Sequence, residues 1–167
     1  MKKNKEDIVN SWIKKAGRDL EVSKRELKLS EPLTNIICFH ARQTAEKYMK
    51  AYLIWLDIGF QKTHDIEDLV VLASKKDPSI LELKDYGAEL SSFAVEVRYP
   101  EFEEPALKDT KIAVEVAEKF NSSYSHLKNL IDNPKQTTSQ PPTTKSSSHA
   151  APSPAPSIVI NLKASFK

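Results

Sequence analysis

Hydrophobic positions along this chain recur every three, four or seven residues through the first 131 positions, and nowhere there do they alternate as in a strand. Ile8, Trp12, Ala16, Leu20 and Leu27 set the period, with Lys, Arg and Glu between them, and predict a helix over residues 5–29. Ser30-Glu31-Pro32 ends it, because the residue before a proline avoids the α region. A second helix is expected over residues 33–58. It is amphipathic at first, then apolar nearly all round from Ala51 to Leu56, with Gly59 as a left-handed C-cap. Thr63 or Asp65 caps a short third helix carrying Ile66, Leu69, Val70 and Leu72. Asp77-Pro78-Ser79 marks a turn and a new helix start. The fourth helix places Leu83, Tyr86, Leu90, Phe93 and Val97 on one face, and Tyr99-Pro100 stops it. A fifth, from Ala106 to Ile131, carries Ala113, Val116, Phe120, Tyr124 and Leu127 on one stripe.

These elements predict an all-α domain over residues 5–131, an antiparallel, up-down bundle of about four long helices and one short helix. Beyond it the vocabulary changes. Residues 134–167 are rich in Ser, Thr, Pro and Ala and hold six of the ten prolines, a composition that cannot build a packed core and predicts a disordered tail. A natural linker and a stretch of read-through sequence both fit it.

Charge divides at the same boundary. Residues 1–133 hold all 23 acids and 21 of the 25 bases, for a net charge of 21 − 23 = −2, while the tail carries four lysines and no acid. A nearly neutral globular part is not the footprint of a dedicated duplex binder. The single cysteine, Cys38, allows no intrachain disulfide and sits in an apolar run. With no N-terminal apolar signal region, it predicts a cytoplasmic, reducing location. No apolar run approaches the ~20 residues that span a bilayer, so no membrane partner is expected. The apolar segment Ala51–Leu56, with Trp12, Tyr52 and Trp55, offers more apolar surface than one small bundle readily covers, and predicts a homodimer.

Candidate chemistry gathers on the second helix. His40, Gln43 and Lys47 stand at i, i+3 and i+7, hence on one face, with Arg42 near its edge. Such a face suits a nucleotide's phosphate or base; it equally suits a buried hydrogen-bond network or a polar dimer seam. His64, beside a helix start, is either a ligand contact or a capping and packing histidine. Arg98 and Tyr99 close the fourth helix, where an arginine meets a phosphate or simply complements the helix dipole. Metal binding is not expected, since the histidines lack the paired i, i+4 spacing and one cysteine makes no zinc site. There is no Walker A, Rossmann or nucleophile-elbow pattern, and no cofactor is predicted.

Three motifs in order resemble the HEPN family: Phe39-His40-Ala41-Arg42-Gln43-Thr44-Ala45-Glu46-Lys47-Tyr48-Met49-Lys50-Ala51 on the second helix, Lys62-Thr63-His64-Asp65-Ile66 after it, and Val97-Arg98-Tyr99-Pro100 at the end of the fourth. With the helices between them they cover residues 5–131. The resemblance implies an up-down bundle with an extra short helix, commonly a homodimer, and a proposed role in binding nucleotides. It also implies pairing with a small nucleotidyltransferase, in a toxin–antitoxin or defence-like system. Some members are ribonucleases, whose signature is Arg, four to six residues, then His. That spacing lets a histidine move a proton beside an arginine that stabilises the charge on phosphorus. Here Arg18, Arg25, Arg42 and Arg98 have no His in the matching windows; after Arg98 the positions hold Glu103, Glu104 and Pro105. The sequence therefore predicts no catalytic residue and a non-catalytic binding and interaction module, with His40, Gln43, Lys47, His64, Arg98 and Tyr99 as ligand contacts and a nucleotide or RNA as ligand. An RNA-cleaving enzyme with an atypical site is the alternative.

Overall fold

A computed structural model of the chain describes residues 4–96 and 103–132. Arg98, Tyr99 and the tail over 134–167 lie outside the described residues. Among the described residues every regular element is helical: α1 (Lys5–Glu26), α2 (Thr34–Trp55), α3 (Ile66–Ser74), a 3-10 helix (Pro78–Leu83), α4 (Lys84–Glu96) and α5 (Leu107–Asp132).

The ends follow from local chemistry. Asn4 opens α1 with a capping box, its side chain accepting from the Asp7 amide at 2.7 Å while Asp7 accepts from the Asn4 amide at 3.3 Å. Asp65, one of the two expected caps, opens α3 by accepting from the Asp68 amide, and Thr63 accepts from the Asp65 amide. Asp77 opens the next element through the Ser79 amide, but that element is a 3-10 helix through Leu83 before α4 begins.

Two boundaries differ from expectation. α1 stops at Glu26, and α2 stops at Trp55, four residues before Gly59. The left-handed residue is Asp57 (φ 55°), and no described glycine has positive φ. The Ile58 amide donates to the Leu53 carbonyl at 2.9 Å and the Asp57 amide to the Ile54 carbonyl at 3.1 Å, the paired bonds of a Schellman ending. An aspartate tolerates that conformation better than most residues, and Lys5 from α1 holds its carboxylate at 2.7 Å.

α2 is the central helix and packs against α1, α3, α4 and α5. α1 runs antiparallel to it: Ser23 Oγ donates to the Ile37 carbonyl and Thr44 Oγ1 to the Ala16 carbonyl, while Lys5 reaches Asp57. α5 runs in the same direction as α2, with Thr34 beside Glu104 and Tyr48 donating to Asn121. The core is formed by Val9, Ala16 and Leu20 of α1, Ala41, Ala45, Met49 and Leu53 of α2, Ile66, Leu69 and Val70 of α3, Leu90 of α4, and Ala113, Val116 and Phe120 of α5. Burial of the Val, Leu, Ile, Met and Phe side chains among these contributes roughly 1.5–3 kcal/mol each. The segment Ala51–Leu56 is not the open face its composition suggests. Ala51, Tyr52 and Leu53 are buried, and Ile54, Trp55, Leu56 and Trp12 pack partly buried against the core.

Candidate functional site

The face carrying His40, Gln43 and Lys47 lies along the seam between α1 and α2. His40 Nδ1 stands 2.9 Å from Asp19 Oδ1, and Lys47 Nζ donates to Asp19 Oδ2. A carboxylate only accepts, so the His40 proton resides on Nδ1 in this contact. One α1 carboxylate thus holds two α2 groups two turns apart, fixing the register of the helix pair. The side chains of His40 and Lys47 keep 26% and 20% of their surface exposed, so their outer edges still reach solvent.

A second carboxylate, Glu46, organises the opposite edge. It is 3% exposed. Lys50 Nζ approaches Glu46 Oε1 at 2.7 Å, His64 Nδ1 the same oxygen at 3.0 Å, and Gln43 Nε2 approaches Oε2 at 3.5 Å. Arg42 Nη1 lies 3.7 Å from Oε2, and its Nη2 donates to the His64 carbonyl at 2.7 Å. Burial pushes the Glu46 carboxyl upward, but hydrogen bonds and charge from Lys50 and His64 outweigh it and hold the group below its ordinary 4.5. Arg42 Nε is buried with no hydrogen-bond partner among the described residues. The Arg42–Glu46–Lys50 ladder therefore clamps the loop after α2 through both the backbone and the side chain of His64.

Of the sequence-predicted set, His40 and Lys47 meet on Asp19, while Gln43 and His64 meet on Glu46. Arg98 and Tyr99 lie outside the described residues. Sequence reasoning missed Asp19, Glu46 and Lys50, and placed Arg42 only at the edge of the face. Arg, Glu and Lys at i, i+4 and i+8 in a helix otherwise rich in buried positions is the signal that marks the second set. His64 is the exposed member: 69% of its side-chain surface is free, and with Nδ1 donating to Glu46 its Nε2 is left to solvent.

The remaining chemistry is quiet. Burial, then the nearby Asp109 charge, pushes the Cys38 thiol up to about 12, so it stays protonated and unreactive. Among the described residues no group of three or more His, Cys, Asp or Glu is placed to hold a metal ion, and no helix is long and apolar enough to cross a membrane. A 510 Å³ open groove lies between α5 and the 3-10 helix and start of α4, lined by Glu82, Tyr86, Glu115 and Lys119 among others, and holds none of the predicted residues.

The HEPN domain model matches residues 9–127. No curated protein matches the chain. Among solved structures, the chain is similar to the crystal structure of ST0689, an archaeal HEPN homologue. The two share 25% sequence identity at a TM-score of 0.57, over 76% of this chain and 98% of that one. With most of its length matched and its helical architecture shared with that homologue, the chain belongs to the HEPN family.

Proposed function

We propose that this chain is a non-catalytic HEPN interaction module. It acts as a homodimer, partners a small nucleotidyltransferase in a toxin–antitoxin or defence-like pair, and binds a nucleotide along α2. The observation that carries this reading is the commitment of its basic groups to structure. His40 and Lys47 turn to Asp19, and Arg42, Lys50 and His64 turn to Glu46, so they pin elements together instead of converging on one reacting phosphate. The ligand contact then falls at the outer edge, on His64 and Gln43. Arg42, Lys50 and Glu46 together carry +1 + 1 − 1 = +1, which favours an anion beside His64. Calorimetric titration with ATP and GTP tests it. Wild type binds, and His64→Ala weakens binding roughly tenfold, the loss of one charge-assisted contact of about 1.5 kcal/mol. Absence of any binding below millimolar concentration removes the nucleotide from the proposal.

One observation favours the second reading, an RNA-cleaving enzyme with an atypical site. An exposed histidine whose Nδ1 is held by a buried carboxylate has the orientation of a general acid or base. Dependence of RNA cleavage on His64 is its signature.

A further inference from the structure

The 510 Å³ groove between α5 and the start of α4 differs in chemistry from the edge around His64. Three carboxylates line it: Glu82 on the 3-10 helix, and Glu115 and Glu118 on α5. Lys24 of α1 already holds Glu118. Glu82 and Glu115 have no ion-pair partner among the described residues. Lys119 also lines the groove and follows Glu115 at i+4, a spacing that favours a pair. It crosses to α4 instead. Its Nζ donates to the Tyr86 hydroxyl at 2.6 Å and stands 4.0 Å from the centre of the ring. The aromatic wall thus already seats an ammonium group while two carboxylates beside it stay unpaired. Together these four charged side chains carry −3 + 1 = −2.

The floor of the groove is apolar. Leu83 and Ser123 line both the groove and a small pocket behind it, which reaches Met49, Tyr52 and Phe120 in the core. Ile112, 40% exposed, stands three residues before Glu115 and seven before Lys119, so the α5 stripe that walls the groove continues as apolar surface. Tyr48 and Tyr52, which border the inner pocket, stand about 200° around α2 from Glu46 and Lys50. The groove is therefore on the far side of α2 from His64.

We propose that this groove docks a basic amphipathic helix of a partner protein, on a surface separate from the nucleotide edge. Lysines or arginines of that helix meet Glu82 and Glu115 from the two walls, one of them replaces Lys119 on the Tyr86 ring, and its apolar face lies along Leu83 and Ile112. Three carboxylates oppose a nucleic acid here. A two-fold contact between copies centred on the groove would set like charges face to face. A small polyamine would satisfy the carboxylates and leave Ile112 uncovered.

Fluorescence anisotropy on the full chain tests this, with a labelled helical peptide carrying leucine on one face and lysine on the other. Wild type should bind it at micromolar concentration and ignore the same peptide with glutamate in place of lysine. Glu82→Lys with Glu115→Lys, both at exposed positions, should weaken binding roughly tenfold or more, with unchanged helical circular dichroism. Glu21→Lys with Glu31→Lys makes the same change in net charge on α1 and the turn after it, and should leave binding within about twofold of wild type. Lys119→Met removes the internal occupant of the Tyr86 ring and should tighten binding by about threefold. Equal losses in the two double variants would show attraction to net charge alone and overturn the groove as the site. No binding by wild type, or binding that ignores Glu82→Lys/Glu115→Lys, overturns it as well. Displacement of the peptide by an equal concentration of spermine overturns the helix as occupant in favour of a polyamine.

Discussion

Glu46 is the residue on which most of the polar structure turns. Its three basic neighbours come from its own helix and from the loop before α3, and it is nearly inaccessible. Replacement by glutamine keeps the shape and strips the charge, leaving Arg42 and Lys50 buried without a counterion. Chemical denaturation of Glu46→Gln should show a loss of about 3–5 kcal/mol at neutral pH. The pH dependence has a fixed sign. A carboxyl held below 4.5 in the folded state contributes stability that is present above that value and lost as pH falls through its lowered folded value. The acid limb of the wild-type stability profile should therefore be steeper than that of Glu46→Gln. Lys47 differs, since it shares Asp19 with His40. Lys47→Ala should lower the melting temperature, reporting a lost charge-assisted bond of about 1.5–3 kcal/mol. An unchanged melt would free Lys47 for the ligand role. The face shared by His40, Gln43 and Lys47 was legible in the sequence, because helical period alone decides it. Asp19 was not, because it lies 21 residues before His40 on another helix and only the packing of α1 on α2 brings it there.

At the scale of elements, the close approach of α4 to α3 depends on a missing side chain. A Cβ at Gly87 would sit 2.9 Å from Ile66 Cγ2 and 3.4 Å from the Glu67 amide nitrogen. Ile66 is fully buried and has no room to retreat. Alanine gains about 1 kcal/mol of helix propensity but faces an overpacking cost of about 1–3 kcal/mol. Gly87→Ala should thus be neutral to destabilising by thermal melt, where an exposed helical glycine would show stabilisation. Helix starts were legible because Asn, Asp and Pro act within a turn: Asp65 and Asp77 do what their positions announce. The end of α2 was not. Glycine is the usual left-handed residue, yet here the chain turns two residues earlier at Asp57, where Lys5 waits on the neighbouring helix. Asp57→Gly should melt no lower than wild type, and Asp57→Val, with a branched Cβ in that conformation, should melt lower.

For the whole molecule, the bundle, its helix count and its family were readable from periodicity and three short motifs. The surface was not. The apolar segment Ala51–Leu56 advertises an interface, but its packing inside the bundle accounts for most of it, while the exposed apolar side chains cluster around the α1–α2 turn. Composition cannot distinguish those cases; only the neighbours can. The same holds for the chemistry. Histidines in a HEPN domain suggest cleavage, yet here each described candidate basic group ends on a carboxylate. Incubation of the full chain with total RNA and short oligonucleotides, in the presence of chelator, measures the consequence directly. The RNA should remain intact over hours at micromolar protein, for wild type and His64→Ala alike. Cleavage by wild type that disappears in His64→Ala would make the Glu46–His64 pair catalytic and contradict the non-catalytic reading.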